Sequence, residues 1–413
     1  MADIKKILNA IRQEKIDGWL FYNVEHRDTL SDLILEVPEE SMNSRPWIYL
    51  VTAEGREVKV VHTIEPSILD SLPGEKRVYS SFGEYKREIE SLLEYGGNRS
   101  TFALNYSDWN PFTSFIDHGF VVLLKKIGFK VTSSEGLVNR LLGTLDDKAI
   151  ETHERAASLL YKIVFKTWDS IIDAFERGVP VTEGEVQYWI GDMFNENKLV
   201  SRELPLVATG KNTGNPHYFP EGEGAVLKKG DVVQLDIWAK LGKPGSVYAD
   251  ISWVGYLGNS VPHEVARVFM AVTSARDRAY SFIEENIESG NVTGKAVDAV
   301  TRKTIEQAGF GSYLRHRAGH SIGTEVHGYG VNLDSIEFPD RRKLLEGSCF
   351  SIEPGIYMED FGVRSEIDVY IKGGRPVISG STISGVKGGY KPQKEILTLN
   401  KDSWQSQRGK SNA

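Results

Sequence analysis

The sequence predicts an α+β fold, in which a domain built on antiparallel sheet follows a smaller α/β domain. Three observations predict it. Short β-rich runs alternate with helical stretches in the first third of the chain. A long helical stretch then opens the remainder, whose strands gather with helices to one side. Two stretches in that second part each read as a pair of strands around a tight turn.

In the first domain, residues 1–145, Ile4, Ile7, Leu8 and Ile11 fall at i, i+3, i+4 and i+7, one face of a helix. Residues 18–22, 47–51, 58–61 and 101–104 are rich in β-branched and aromatic types and read as strands. Helices are expected near 64–71, 84–94 and 113–127. The second domain, residues 146–400, begins with a helix over 146–175. Thr182 and Glu185 then make a T-x-x-E capping box for a helix through Phe194. One further helix follows Ser260 with Pro262 in its first turn. Another runs from Thr293 and stops before Gly309. Strands are expected at 232–240, 247–257, 348–353 and 363–371. Residues 401–413 read as a polar, frayed tail.

Composition narrows the function. The 413 residues are too many for one ordinary core, and 40% apolar content supplies a large one. A net charge of −8 with both signs interspersed argues against a nucleic-acid partner. Cys349 is the only cysteine, which rules out an internal disulfide and a cysteine-based zinc cage. No apolar run reaches membrane-spanning length, and the first residues read as an amphipathic helix instead of a signal peptide. A cytoplasmic protein away from membranes is therefore expected.

The informative stretches are the two hairpins. In 232–253, Gly242-Lys-Pro-Gly245 is a strong turn signal between two β-rich runs. A hairpin centred on Lys243 sets Asp236 directly opposite Asp250. Two exposed aspartates are the ordinary reading of such a pair. Here the neighbours Leu235, Ile237, Ala249 and Ile251 are apolar, so a proton or a cation must offset the repulsion. In 349–370, a turn at Glu359-Asp360 sets Glu353 opposite Glu366, with Pro354 at a strand end or bulge. Four carboxylates so gathered suit two divalent cations. The nitrogen ligand is sought in 317–328, where His320 stands between Gly319 and Gly323 and the backbone can approach closely. Six of the nine histidines, His26, His62, His118, His153, His263 and His316, have no special context.

With these residues in view, Asp236, Asp250, the GHSIG run at His320, IEPGIY at Glu353 and GVRSE at Glu366 resemble the pita-bread metallopeptidases. The resemblance covers roughly residues 150–398, and the order Asp, Asp, His, Glu, Glu is its most specific feature. The first domain resembles the smaller domain of the prolidase and aminopeptidase P branch. The resemblance implies a C-terminal pita-bread domain of the creatinase/aminopeptidase type. In it Asp236 would bind one metal, Asp250 and Glu366 would bridge, and His320 and Glu353 would bind the second. His217 and His327 match substrate-side histidines, and Arg364 matches an arginine that orients Glu366 or a substrate carboxylate.

The implied activity is hydrolysis of Xaa-Pro bonds, chiefly in dipeptides, by a hydroxide bridging two metal ions. His327 would stabilise the oxyanion, and Glu353 would pass the proton to the leaving nitrogen. The oxygen-rich set favours Mn²⁺, with Co²⁺, Zn²⁺ and Fe²⁺ as further candidates. Short proline-containing peptides and a second copy of the chain, as a homodimer, are the implied partners. Aminopeptidase action on longer peptides is the alternative. Other relatives sharing the fold are small-molecule hydrolases and lyases, or binding domains without the ligands. Trp238, two places after the first aspartate, departs from the small residue usual there, and Gly328 departs from the acidic residue that often follows the second histidine.

Overall fold

The computed structural model describes residues 2–95, 101–380 and 391–408. The chain divides into two compact units, Met1–Leu141 and Leu142–Ala413.

The first unit holds a six-stranded mixed sheet. Its centre is the antiparallel trio Gly18–Asn23, Trp47–Thr52 and Glu57–His62, whose side chains are largely buried. Thr101–Leu104 and then Lys130–Ser133 add in parallel on one side, and Glu75–Tyr79 adds in parallel on the other. The two edge strands, Lys130–Ser133 and Glu75–Tyr79, were not expected. Their sequences KVTS and EKRVY are short, rich in polar residues and mostly exposed or half-buried, as edges tend to be, and so carry little hydrophobic signal. The helices Ile4–Glu14, Phe82–Leu92 and His118–Ile127 form where the apolar spacing placed them, the last starting later than expected.

The expected helix over 64–71 does not form. Pro66 and Pro73 bracket a run of separate turns, in which Asp70 N–H bonds Ser67 O and Leu72 N–H bonds Leu69 O. The buried Lys59 ammonium donates to the Leu69 and Leu72 carbonyls at 3.2 and 2.7 Å, satisfying acceptors that a continuing helix would have used.

The second unit opens with the helix Asp147–Arg177, capped by Asp146 and ended by Gly178 at φ +67°. Thr182 and Glu185 make the expected capping box on Glu183–Glu196. The helices His263–Asn286 and Gly294–Gln307 follow, the second capped by Thr293. The main sheet is built on the hairpin Val232–Leu241 and Ala249–Tyr256, flanked by Leu206–Thr209, Leu199–Val200 and Leu397–Thr398. Cys349–Ile352, Ile367–Lys372 and Arg375–Ile378 form a second sheet, and Gly355–Tyr357 pairs with Gly362–Arg364.

Two expectations are corrected here. The first hairpin pairs Asp236 with Ser252 and Asp250 with Trp238, so the two aspartates are not directly opposed. The ladder ends at Ala239–Ala249, so the connection is longer than the expected tight turn and the register slides with it. The slide keeps parity, so both aspartates still share one face as diagonal neighbours. The tail is also not frayed over 401–408. Trp404 is fully buried, stacks on Phe165 with ring centroids 6.0 Å apart, and donates its indole N–H to Thr398 O at 3.0 Å. Residues 409–413 lie outside the described residues.

Candidate metal centre

The second hairpin forms in the expected register: Ile352 pairs with Ile367 and Gly355 with Arg364. Glu353 and Glu366 fall in the gap between these two ladders, where Pro354 interrupts pairing. The two hairpins are sewn together by Glu366 N–H to Ser252 O (3.2 Å), Asp250 N–H to Asp368 Oδ2 (2.8 Å) and Arg364 N–H to Gln234 Oε1 (2.9 Å).

His320 arrives on a segment that runs beside Cys349–Ile352. Ser351 N–H bonds His320 O at 2.9 Å, His320 N–H bonds Ser351 Oγ at 3.0 Å, and Glu353 N–H bonds Ala318 O at 2.7 Å. A Cβ on Gly319 would sit 2.0 Å from Ser351 O, so only glycine permits this approach. The expectation of a close approach does not hold at Gly323, where a Cβ would meet nothing nearer than 3.8 Å. The buried Asp298 anchors the segment, accepting from Ala318 N–H at 2.9 Å, Ser335 N–H at 2.8 Å and Arg302 Nε at 2.8 Å.

The structure brings Asp250, His320 and Glu366 together, with one candidate ligand atom from each lying within 4.8 Å of the others. His320 Nε2 is 3.6 Å from Asp250 Oδ2 and 3.6 Å from Glu353 Oε1, which adds Glu353 to the group. Asp236 stands at the margin of this group. It accepts from Ser252 Oγ at 2.7 Å and contacts Arg364 Nη2.

Burial pushes the Asp250 carboxyl up to about 7, with the charge of Asp236 adding to it. Glu366 is raised well above the carboxylate range by burial and then by Asp250, Glu353 and Asp236. Burial also raises Glu353, but His316, His320, Arg364 and Arg317 outweigh it and hold this carboxylate below its ordinary value. Asp250 Oδ1 is buried without a hydrogen-bond donor. A buried acceptor with no donor, among four carboxylates and an imidazole, fits a divalent cation by charge and by donor type.

Arg364 corrects an expectation. Its guanidinium is buried and engaged with its own chain, donating from Nε to Ser252 Oγ (3.1 Å), from Nη1 to Pro216 O (3.1 Å) and Tyr357 Oη (2.9 Å), and from Nη2 to Asp236. It orients Asp236 and is not presented to a substrate carboxylate. Sequence reading missed His316, which was set aside as ordinary. Its Nδ1 lies 2.6 Å from Arg317 O and must carry the proton, so Nε2 accepts from the Tyr357 hydroxyl at 2.7 Å. The only signal available was its position four residues before His320.

His327 packs its ring 4.4 Å from that of His320, and burial followed by the charges of His320 and Arg317 lowers it to about 4. His217 is exposed, on a loop tied to the centre by the Pro216 O contact with Arg364. The buried Glu183, another residue the sequence did not single out, holds this loop by accepting from Thr209 N–H, Asn212 Nδ2, Tyr218 Oη and Ala225 N–H at 2.7–3.0 Å.

Paired hairpins presenting carboxylates and an imidazole, with helices packed around them, define the pita-bread class. The chain belongs to metallopeptidase family M24, whose family model matches residues 151–373. Over 199 residues it is 35% identical to the Xaa-Pro dipeptidase of Lactobacillus helveticus, covering 47% of this chain and 49% of that protein. Over 204 residues it is 28% identical to a putative Xaa-Pro aminopeptidase of Mycoplasma genitalium, covering 46% of this chain and 51% of that one. The chain thus spans about half the length of these curated relatives. Its fold matches the crystal structure of a prolidase from Thermococcus sibiricus at a TM-score of 0.61 and 22% identity, over 96% of this chain and 98% of that one. No helix among the described residues is long and apolar enough to cross a membrane.

Proposed function

We propose that this chain is a metal-dependent Xaa-Pro dipeptidase. The observation that carries the reading is Arg317. It is half-buried, its charge acts on His320, His327 and Glu353, and its guanidinium has no hydrogen bond or ion pair among the described residues. An unengaged cation beside the centre suits the carboxylate that ends a dipeptide, the role Arg364 is too engaged to fill.

Asp236, Asp250, His320, Glu353 and Glu366 would hold two divalent ions, Mn²⁺ foremost given the oxygen-rich donors. When bound, such ions balance the carboxylate charge and supply a Lewis acid that makes water a nucleophile near neutral pH. Arg317 binds the proline carboxylate and so fixes the scissile bond against His327. His327, neutral at pH 7, donates an N–H toward the carbonyl oxygen as negative charge builds there. Glu353, held ionised, takes a proton from the attacking water and delivers it to the proline nitrogen as the C–N bond breaks. The same proposal includes a homodimer in the cytoplasm. The lone Cys349, buried and unpaired, suits a reducing compartment.

The test compares kcat/KM for Ala-Pro with that for the same sequence extended by two residues, in Mn²⁺-loaded protein. The dipeptide should be favoured by at least about tenfold, because the longer peptide leaves the cation unpaired. Arg317→Met should abolish the preference. Equal or better cleavage of the extended peptide makes the protein an aminopeptidase instead.

A further inference from the structure

Along Val232–Leu241 the side chains alternate. Leu235, Ile237, Ala239 and Leu241 are buried in the core, whereas Asp236, Trp238 and Lys240 share the other, half-buried face. Trp238 therefore stands next to the candidate ligand Asp236 on the side of the sheet that carries the metal centre. Its direct partner across the ladder is Asp250, which puts the two Cβ atoms about 5 Å apart. Trp238, like Val326, packs against the buried apolar group that includes Tyr248, Ile322 and Cys349. The ring N–H has no acceptor among the described residues and is not sealed from solvent. The indole thus has an anchored apolar side and an edge open to solvent.

The wall behind this ring is fixed. Lys240 Nζ donates to Thr324 O at 2.5 Å and lies 4.7 Å over the Tyr248 ring, and Tyr248 N–H bonds Gly323 O at 2.9 Å. Arg202 pairs with Glu325 at 2.9 Å on the same segment. Where the ring packs on the buried group of Tyr248, Ile322 and Cys349, added bulk is poorly accommodated.

We infer that Trp238 is the side wall of the subsite for the residue on the amino-terminal side of the scissile bond, and that it restricts this residue to small side chains. The inference rests on the dipeptidase reading, which places the substrate's carboxylate at Arg317. The α-ammonium at the opposite end is then drawn toward Asp236 and Asp250, and Trp238 borders both. An indole face itself attracts a cation. A side chain projecting from that end meets the ring.

The experiment measures kcat/KM for Gly-Pro, Ala-Pro, Leu-Pro and Phe-Pro with the parent, Trp238→Gly and Trp238→Phe, all Mn²⁺-loaded. Calorimetric binding of free glycine and free phenylalanine to the same proteins is measured alongside. A single methylene shifts kcat/KM by roughly 10–200-fold in an apolar pocket. The parent should therefore favour Ala-Pro over Phe-Pro by ~100-fold or more. Trp238→Gly should reduce that ratio at least ~tenfold by raising the Phe-Pro value, and Trp238→Phe should retain most of it. Trp238→Leu replaces Trp238→Gly if the latter melts below assay temperature. An unchanged ratio at unchanged metal content and Tm overturns the assignment, as does a parent that prefers Phe-Pro. If no Xaa-Pro peptide is cleaved, the dipeptidase reading fails and amino-acid binding decides. A gain in phenylalanine over glycine affinity in Trp238→Gly upholds the wall, and no gain overturns it.

Discussion

The Arg364 guanidinium fixes Asp236 through two routes, directly and through Ser252 Oγ, and the Tyr357 hydroxyl steadies it in turn. The two histidines close to the carboxylates differ in kind. His320 touches both Asp250 and Glu353, whereas His327 touches the His320 ring and is kept neutral. His320→Ala should therefore lose metal affinity. His327→Ala should keep its metal and lose about 10²–10³-fold in kcat, the usual effect of removing one oxyanion donor. Metal analysis after dialysis, set beside turnover, separates them, and equal metal loss in both would reverse the roles. At this scale the candidate ligands were legible because carboxylates set in apolar strands have few other uses. The partners of Arg364, and the parts played by His316 and Tyr357, were not. Their partners come from Pro216, Ser252 and Arg317, separated in sequence and joined only by the fold.

Elements were legible where apolar periodicity and caps agreed, as in Asp147–Arg177 and Glu183–Glu196. They failed where a local signal misled. The first hairpin's ladder stops at Ala239–Ala249, short of the Gly242-Lys-Pro-Gly245 turn signal on which the expected register was centred. The final turns failed for a related reason: polar neighbours hid one tryptophan. Trp404 and Trp168 both donate to the Thr398 carbonyl at 3.0 Å, and the Trp404 ring fills the space beside Phe165. Trp404→Ala should cost about 3–5 kcal/mol by the usual toll of removing a buried aromatic. Urea unfolding measures it, and a loss below about 1 kcal/mol would mean that these turns dock only loosely.

For the whole molecule, family and fold class were readable because the ligand order spans both hairpins. Its response to acid depends on histidines whose surroundings the sequence conceals. His26, in the first unit, loses some basicity to burial, but the Ser41 carbonyl and Asp32 more than restore it, so its pKa is raised. Its contribution is present below the unfolded pKa and is lost as pH rises through the folded one. His153, in the second unit, has the opposite sign. It is fully buried, with Nδ1 2.6 Å from Tyr248 O and Nε2 2.7 Å from Ser379 Oγ. The carbonyl can only accept, so Nδ1 carries the proton and the neutral ring satisfies both contacts. The facing groups, Cys349 Sγ at 3.6 Å and Asp368 Oδ2 at 3.9 Å, are themselves pushed by burial toward their neutral forms and offer little to a charged imidazole. Burial lowers His153 to about 4, whereas the unfolded chain titrates near the ordinary 6.5. Between those values the unfolded state holds the extra proton, so stability falls as pH drops through the window, by about 3 kcal/mol in all. Unfolding free energies of the parent and His153→Gln, measured from pH 7 to pH 4, isolate this contribution. The parent should lose its advantage over the variant steadily below pH 6.5, and parallel curves would mean that His153 already carries its proton in the folded protein.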